Sequence, residues 1–530
     1  MEKLTCDLFA PGMTPLHRAG LGGLVSTLRH LERATPPHER PPGRWTIDER
    51  AVTFTWETSD EAKALFTWLF AFAFQLRDGL IYLPGQYGEL PPPPEVLAAL
   101  HDGLLLSFYD HGVQSRGKKG DAQVRTYEVD DKPLSYRYLP LAWYKHQRDG
   151  YKFLAESLQG NLKLSRSLFP GAVQRHAGLA GTHVTHPARL ALPLLFAPVG
   201  VFALKAGGKR VNDRGKRKFK PGAALLIPDF HTLSGVEFLL PSLIPKQARD
   251  CQVASATDAT LQAELRLRGR HQLDPLLLPS LRCVWCCPTD WSSQLQPPSF
   301  VTEVTVRTVD PRLDQFAIAM AALPPPAPRQ NKKGEYFWPK STLRPFIADN
   351  LAAGRVWYAG FTRLMSAQDP ATNTPLRNAV HFERKGLSLM TQEIRWDHPA
   401  EETIVRAVHE ALRCRYGRIA AENTKNPVAM KKRMAREYER WRLAFSGAKT
   451  PDTFRHAVTD LWSRAGSNSV LKDSWPQVLS LLTNEKWQLT RDLALLALAS
   501  YRGKSEEDID LTHTSLILER TFRNCRKLAA

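Results

Sequence analysis

Residues 51–74 read AVTFTWETSDEAKALFTWLFAFAF, and they combine a strand pattern with a helix pattern. Val52, Phe54 and Trp56 alternate with smaller or polar residues, which is typical of a strand with one buried face. The apolar run from Ser59 onward predicts a helix with Ser59 as its N-cap. A strand followed this closely by an apolar helix predicts an α+β unit.

On either side of this stretch the sequence continues the α+β pattern. Residues 4–8 predict a short strand, residues 21–31 predict an amphipathic helix, and another helix is predicted from Glu95. Between residues 107 and 300 the pattern is mixed, and its short runs are broken by Pro and Gly.

One hairpin is recognisable in this mixed region. Residues 191–204 and 223–227 form apolar, strand-like runs. The residues between them, 205–222, are dense in Gly, Lys and Arg, which indicates a loop. We therefore predict a hairpin with an enlarged basic tip.

After Trp396 the composition favours helices. Asp397 and Pro399 are helix start signals. Further helices are predicted at residues 430–445, 451–465 (with Thr450 as the cap), 473–482, 490–501 and 511–528. Short loops between such helices predict an antiparallel bundle. The predicted fold is α+β, with an irregular mixed α/β body over residues 1–395, a candidate sub-boundary at 323–334, and a C-terminal antiparallel helical bundle over 396–530.

The charge balance limits the function classes. The 530 residues contain 72 Lys and Arg against 53 Asp and Glu, a formal net charge of +19, which indicates a polyanionic partner. The most apolar window, residues 64–74, is about half the length needed to span a bilayer. We therefore predict a soluble cytoplasmic protein that does not bind membranes.

No catalytic signature accompanies the charge. The sequence contains neither G-x-S-x-G nor H-E-x-x-H, so it predicts no enzyme and no cofactor. Cys283 and Cys286 form one C-x-x-C pair, which makes them candidate metal ligands. The alternative is a buried strand in which these cysteines are small apolar residues beside Trp285.

The strongest candidate for nucleic-acid binding is residues 207–220, GGKRVNDRGKRKFK. Lys and Arg neutralise phosphates and release counterions, and an aromatic ring stacks on bases or inserts between them. The alternative is a solvated hairpin tip. The candidate residues are Lys209, Arg210, Arg214, Lys216, Arg217, Lys218, Phe219 and Lys220.

Two weaker basic segments are further candidates. Arg116, Lys118 and Lys119 lead into an aromatic and basic stretch, residues 136–148, which suits unpaired bases or, equally, an edge strand packed on a core. The second segment places cations close to one face of a helix, where surface solubility is an equal explanation. Its candidate residues are Lys425, Lys432, Arg436 and Arg440.

Residues 8–28, LFAPGMTPLHRAGLGGLVSTL, resemble the opening of the large subunits of type I CRISPR surveillance (Cascade) complexes. The resemblance is to the subgroup labelled MYXAN, related to type I-A and I-B large subunits. The strings APGMT at residues 10–14 and HRAGLGGL at residues 17–24 are its basis.

The resemblance implies a non-catalytic subunit that contacts the protospacer-adjacent motif, helps to open duplex DNA and assembles on a CRISPR RNA (crRNA). Its implied partners are target DNA and the displaced strand, the backbone and handle-binding subunits, a small subunit, and a helicase-nuclease or transposition proteins. It also implies that residues 396–530 resemble the small subunit, for which Met430 or Met434 is a candidate internal start. A stand-alone nuclease with an unrecognised metal site and an unrelated basic RNA-binding protein remain the alternatives.

Overall fold

The structure is a computed structural model of the 530-residue chain. It describes residues 2–109, 115–117, 123–129, 132–155, 158, 160–164, 184–213, 216–270, 275–286, 300–306, 310–324, 329–330, 336–337, 341–369, 374–423, 426–466 and 468–503. These residues divide into two compact units. The first is Met1–Asp310 with Pro325–Lys340, and the second is Pro311–Pro324 with Ser341–Ala530.

The first unit mixes strands and helices. Its strands are β1 (Glu2–Asp7), β2 (Arg44–Ile47), β3 (Ala51–Trp56), β4 (Gln75–Arg77), β5 (Leu80–Tyr82), β6 (Ser115–Gly117), β7 (Gln123–Val129), β8 (Lys132–Tyr138), β9 (Leu141–Tyr144), β10 (Asn161–Leu164), β11 (Val184–Pro187), β12 (Phe202–Asp213), β13 (Lys216–Asp229), β14 (Gln252–Val253), β15 (Ser280–Cys286), β16 (Phe300–Thr305), β17 (Arg329–Gln330) and β18 (Tyr336–Phe337). Its helices are α1 (Pro15–Ala34), α2 (Ser59–Ala73), α3 (Pro84–Tyr87), α4 (Pro94–Leu105), α5 (Lys145–Ala155), α6 (Ala188–Leu195), α7 (Ala197–Gly200), α8 (Val236–Ser242) and α9 (Ala256–Gly269).

The strand and helix at residues 51–74 form as predicted. β3 lies between β1 and β2 in an antiparallel sheet, and its alternate residues Val52, Phe54 and Trp56 are buried. Helix α2 begins at Ser59, but its cap is Thr58, whose hydroxyl accepts a hydrogen bond from the Glu61 N–H at 3.2 Å. The predicted N-cap was wrong by one residue, because Thr58 has the extended backbone that a cap requires.

The predicted strand at residues 191–204 is wrong over most of its length. Residues 188–200 form the two short helices α6 and α7, and β12 begins only at Phe202. Almost every residue of this run is buried, so its hydrophobicity shows no period that separates a helix from a strand. These helices pack on α1 with their backbones in close contact. A Cβ on Gly20 would overlap the Pro193 carbonyl, and one on Gly200 would overlap the Ala19 carbonyl.

A five-stranded sheet supports the basic hairpin. Its strand order is β14–β12–β13–β15–β16, and every neighbouring pair is antiparallel except β12 with β14. Helix α4 packs against β12, while α9 packs against β15 and β16. The sheet residues of β13 nearest this core, Ala223–Asp229, pair with β15 and are buried.

The second unit is helical in the residues that the structure describes. Its helices are α10 (Pro311–Ala322), α11 (Leu343–Ala352), α12 (Phe361–Ser366), α13 (Leu376–Phe382), α14 (Arg384–Glu393), α15 (Pro399–Glu422), α16 (Pro427–Gly447), α17 (Pro451–Ala465), α18 (Ser469–Leu481) and α19 (Trp487–Ser500). Helix α19 is central, because it contacts α12, α14, α15, α16 and α17. The predicted α+β class with a helical C-terminal part is confirmed. The helix predicted at 511–528 lies outside the described residues.

The compact units do not separate at residue 396, because residues 341–395 pack with the helices that follow them. The predicted division at 396, with its implied likeness to a small subunit, concerns function and stays a prediction, as does the sub-boundary at 323–334. None of the helices in the described part of the chain is both long enough and apolar enough to span a membrane.

Candidate nucleic-acid interface

The basic hairpin extends beyond the sheet that supports it. β12 and β13 pair from Phe202 with Leu226 to Asp213 with Lys216. β14 flanks only Lys205 and Ala206, and β15 flanks β13 only from Ala223 onward. Among the described residues, 209–213 and 216–220 therefore pair only with each other. We call these two segments the ribbon.

The ribbon corrects one part of the prediction. Hairpin pairing is present, but the basic residues form a strand ladder where an enlarged loop was predicted. Lys, Asn and Asp are depleted in strands, and cross-strand pairing overrides that preference here. The pairing joins Lys209 to Lys220, Arg210 to Phe219, Val211 to Lys218, Asn212 to Arg217 and Asp213 to Lys216. Arg214 lies outside the described residues.

The register concentrates like charge along the ribbon. Successive pairs alternate between the two sides of a ladder, so Lys209, Lys220, Lys218 and Lys216 occupy positions on the same side. Lys209 lies directly opposite Lys220, an arrangement that destabilises a ladder in the absence of an anion. A bound polyanion would remove this cost.

A β-bulge marks the junction between the ribbon and the sheet. The register shifts between Ala206 and Lys209, so Gly207 and Gly208 lie opposite the single residue Pro221. Proline has no N–H to donate to a ladder, and a bulge is one of the places where a strand accepts it. The bulge also increases local twist, so it sets the direction in which the ribbon leaves the sheet.

The basic segment that begins at Arg116 contains a cluster of cations around an aromatic ring. Exposed Arg116 of β6 pairs with Trp143 of β9, and the Arg148 guanidinium lies 3.6 Å from the centroid of the Trp143 ring. Asp149 accepts hydrogen bonds from Arg148 and Lys152, at 2.8 and 3.2 Å. The Lys145 ammonium also lies 3.2 Å from the Asp149 carboxylate.

One carboxylate therefore holds three cations beside an aromatic ring. Partial burial opposes ionisation of Asp149, but the hydrogen bonds from Arg148, Lys145 and Lys152 outweigh it and lower its pKa to about 2. Sequence reasoning missed the roles of Asp149 and Lys152. Their spacing from Lys145 places all three residues on one face of a helix, and this signal could have found them.

Other members of the aromatic stretch belong to the core. The Tyr144 hydroxyl donates to the Gln75 carbonyl at 3.1 Å, and His146 lies 3.0 Å from the Tyr109 hydroxyl through its Nδ1. Both residues are buried. Tyr144 and His146 therefore fit the interpretation of a strand packed on a core, whereas Arg116 is exposed at the surface. Lys118 and Lys119 lie outside the described residues.

The candidate cations on α16 form an exposed row along the helix. Lys432, Arg436 and Arg440 are exposed and lie four residues apart, so they share one face of the helix. Arg440 lies 3.4 Å from Asp460, but the described residues offer no ion-pair partner to Lys432 or Arg436. Lys425 falls outside the described part of the chain.

The C-x-x-C pair lies inside the five-stranded sheet. Cys283 and Cys286 are both buried in β15, and a three-residue spacing in a strand places them on opposite faces. Burial raises the pKa of the Cys283 thiol well above its usual range, which disfavours the thiolate that binds metals. Among the residues described, no group of three or more His, Cys, Asp and Glu side chains could hold a metal ion. This geometry fits the buried-strand interpretation.

Two domain families match separate parts of the chain, and a curated protein matches nearly all of it. The DevT N-terminal domain matches residues 5–195, and the DevT C-terminal domain matches residues 392–520. A curated protein of Myxococcus xanthus (strain DK1622), CRISPR-associated protein Cas8a1/Csx13, is 36% identical over 537 residues, covering 96% of this chain and 90% of the relative. The chain belongs to the Cas8a1/Csx13 family. Membership confirms the predicted relationship to the large subunits of type I CRISPR Cascade complexes.

The family domains cover two of the three basic surfaces. Arg116 and the Trp143 cluster fall within the matched DevT N-terminal domain, and the row on α16 falls within the DevT C-terminal domain. The ribbon lies between the two matched domains. Within this Cas8a1/Csx13 family member, the ribbon is therefore a feature of the connecting region.

Proposed function

We propose that this Cas8a1/Csx13 family member is the non-catalytic large subunit of a crRNA-guided type I complex, and that its ribbon contacts duplex target DNA at the protospacer-adjacent motif. The ribbon is the observation that supports this role. It is a two-stranded, antiparallel, basic element that extends past its supporting sheet.

The dimensions of the ribbon suit a DNA groove. Two paired strands lie about 4.8 Å apart, and the five pairs from Lys209 to Asp213 extend roughly 15 Å. The major groove of B-DNA is about 12 Å wide and admits a two-stranded ribbon. Residues 209–220 of the sequence include the cations Lys209, Arg210, Arg214, Lys216, Arg217, Lys218 and Lys220. Their charge would be neutralised by backbone phosphates, with release of counterions.

We further propose a division of labour among the three basic surfaces. The ribbon holds the duplex and, through Phe219, inserts at an opening base step. The Arg116–Trp143 cluster and the row on α16 hold single strands, either the guide RNA or the displaced DNA strand. Base pairing with the guide then reads the sequence, while the protein reads only the short motif and the backbone.

The remaining partners follow from the family expectation. Such a subunit assembles with backbone, handle-binding and small subunits on the crRNA. After target binding it recruits a helicase-nuclease or transposition proteins. The target motif is read by base-edge contacts, and the grooves of duplex DNA accept such contacts from a ribbon.

The test uses the assembled crRNA-guided complex. A triple variant, Lys216→Gln, Arg217→Gln and Lys218→Gln, removes three ribbon cations. A control with Lys3→Gln, Lys63→Gln and Lys246→Gln removes three exposed cations elsewhere in the same unit. We expect the ribbon variant to assemble normally, as seen by size-exclusion chromatography, but to bind duplex target at least about ten-fold more weakly. Equal affinity of the two variants would exclude the ribbon from DNA contact.

A second measurement separates duplex contact from strand opening. The same variants are titrated with a target whose protospacer strands are unpaired in advance. If the ribbon helps to open DNA, the pre-opened target will restore most of the lost affinity. If the defect is as large on the pre-opened target, the ribbon only attracts DNA and the opening role is wrong.

A further inference from the structure

A cavity of about 460 Å³ opens at the surface of the helical unit. It is formed where the short helix α12 meets the end of α16 and the first two turns of α19. The residues that decide its chemistry are Thr362, Arg363, Ser366, Ser446, Arg491 and Asp492.

The floor of the cavity is held rigidly by hydrogen bonds. The two carboxylate oxygens of Asp492 accept the N–H groups of Gly360 and Thr362, at 2.7 and 2.8 Å. Arg491 donates from Nη1 to the Ala448 carbonyl at 2.5 Å, and its guanidinium stacks 4.8 Å from the Trp487 ring centroid. Both charged side chains are thus positioned before any ligand arrives.

Donors remain without acceptors at this floor. The Arg491 Nε is buried and has no partner among the described residues, and the same holds for the Thr362 hydroxyl. Thr362 is only 8% exposed, so bulk water does not readily satisfy its hydroxyl. Buried polar groups are nearly always hydrogen-bonded, so two donors without a described partner, both in residues that line one cavity, favour a ligand that accepts hydrogen bonds there.

The rim adds a second cation. Arg363 is exposed, and within the described residues it forms no ion pair. Two guanidinium groups therefore face one carboxylate, whose oxygens already accept backbone hydrogen bonds. This balance disfavours a cation and favours an anion with several acceptor oxygens.

We propose that the cavity binds a phosphate group. Guanidinium groups match the oxygens of phosphate in pairs, and hydroxyl groups of Thr362, Ser366 and Ser446 supply further donors. The volume exceeds that of one phosphate, so a sugar and base also fit. The phosphate belongs to a free nucleotide or to a nucleic-acid strand. The inference does not depend on the ribbon.

The first test titrates the full chain with inorganic pyrophosphate in a calorimeter. Arg363→Gln removes the rim cation and is expected to weaken binding about ten-fold or more. Arg395→Gln is the matched control, because Arg395 is an exposed arginine of the same unit that does not line the cavity. Equal affinity of the two variants, or no binding by the wild type, would overturn the proposal.

A second variant separates ligand binding from folding. Thr362→Val removes a hydroxyl that has no described protein partner and keeps the N–H that Asp492 accepts. We expect an unchanged thermal unfolding midpoint and several-fold weaker pyrophosphate binding. Unchanged affinity in a folded Thr362→Val protein would count against the site.

Titrations with adenosine monophosphate and with a short oligothymidylate distinguish the two sources of the phosphate. Both are titrated into protein that also carries the three ribbon substitutions, so that the ribbon does not mask the cavity. Binding of the nucleotide that Arg363→Gln weakens indicates a free nucleotide, and binding of the oligonucleotide with the same sensitivity indicates a strand. If Arg363→Gln affects neither probe, the proposal is wrong even if the ribbon binds DNA.

Discussion

Arg18 of α1 and Asp229 of β13 form a two-point ion pair, with Nε 2.5 Å from Oδ1 and Nη2 3.0 Å from Oδ2. The pair is largely buried, since the side chains are 17% and 9% exposed. Asp229 is the last residue of the strand that begins in the ribbon at Lys216. The ion pair therefore anchors to α1 the strand that forms one half of the ribbon.

Arg18→Ala is expected to destabilise the first unit by about 3 kcal/mol, because it leaves the Asp229 carboxylate buried without its cation. The measurement is hydrogen exchange at the amides of residues 223–229, which should become faster. Arg29→Ala is the control on the same helix, where a pair with Glu32 that is more exposed than the Arg18–Asp229 pair is lost. Equal exchange in both variants would mean that the ion pair does not anchor β13.

Gly20→Ala is expected to cost about 3 kcal/mol, because the added Cβ overlaps the Pro193 carbonyl and forces α1 away from α6. The thermal unfolding midpoint reports this loss. Gly269→Ala is the matched control, since a Cβ at Gly269 meets nothing within 4 Å. A Gly20→Ala protein as stable as the control would show that the two helices tolerate separation.

Acid is expected to destabilise the first unit below a pH of about 6.5. Burial lowers the pKa of His146 from its usual 6.5 to about 3, so between these values the unfolded chain binds a proton that the folded chain does not. Stability therefore falls as the pH decreases through this window. His146→Asn should reduce the slope by about 1.4 kcal/mol per pH unit, measured by urea unfolding between pH 6 and pH 4.5.

The matched control for this titration is His38→Asn, because His38 is exposed. The slope of stability against pH measured for His38→Asn is the reference for the slope of His146→Asn. Burial also lowers the pKa of His17 to about 3, so a residual slope persists in the His146→Asn protein. An unchanged slope in His146→Asn would mean that His146 is protonated in the folded state.

Zinc is not expected at Cys283 and Cys286, because the two thiols point to opposite faces of β15. Treatment with a chelator should leave the unfolding midpoint of the purified protein unchanged. One zinc per chain that is lost in Cys283→Ser but kept in Cys251→Ser would contradict this prediction and revive the metal interpretation.

The salt dependence of DNA binding should report the ribbon contacts. Each lost phosphate contact lowers the slope of log Kd against log salt concentration by roughly 0.9. Lys216→Gln, Arg217→Gln and Lys218→Gln together should therefore reduce the slope by up to about 2.7 in the assembled complex. Fluorescence anisotropy at several salt concentrations measures it. A slope equal to that of the Lys3, Lys63 and Lys246 control would place these cations away from phosphates.

The sequence predicts correctly the helices and strands in which apolar residues recur at a regular spacing. Strand Ala51–Trp56 has a clean alternation and forms over the predicted residues. Helix Pro451–Ala465 also forms as predicted, because Thr450 caps it through the Thr453 N–H and a proline begins it. Such signals are contained within a few neighbouring residues and need no knowledge of tertiary contacts.

The other elements depend on partners that a single segment does not reveal. Residues 191–200 are apolar on all sides, so their pattern does not distinguish a helix from a strand. Their packing on α1 determines the helical conformation. The residue types of the ribbon are typical of loops. Pairing between β12 and β13 determines the strand conformation. The cavity joins Thr362 to Arg491, more than a hundred positions apart in the sequence, so no local motif predicts it.

The ribbon leaves two strand edges uncovered among the described residues. An uncovered edge is a template on which another copy of the chain can add a strand, and this is a common start of aggregation. Lysines at positions 209, 216, 218 and 220 make such edge-to-edge pairing repulsive. The cations that would attract nucleic acid thus also keep separate copies of the subunit apart until they are assembled.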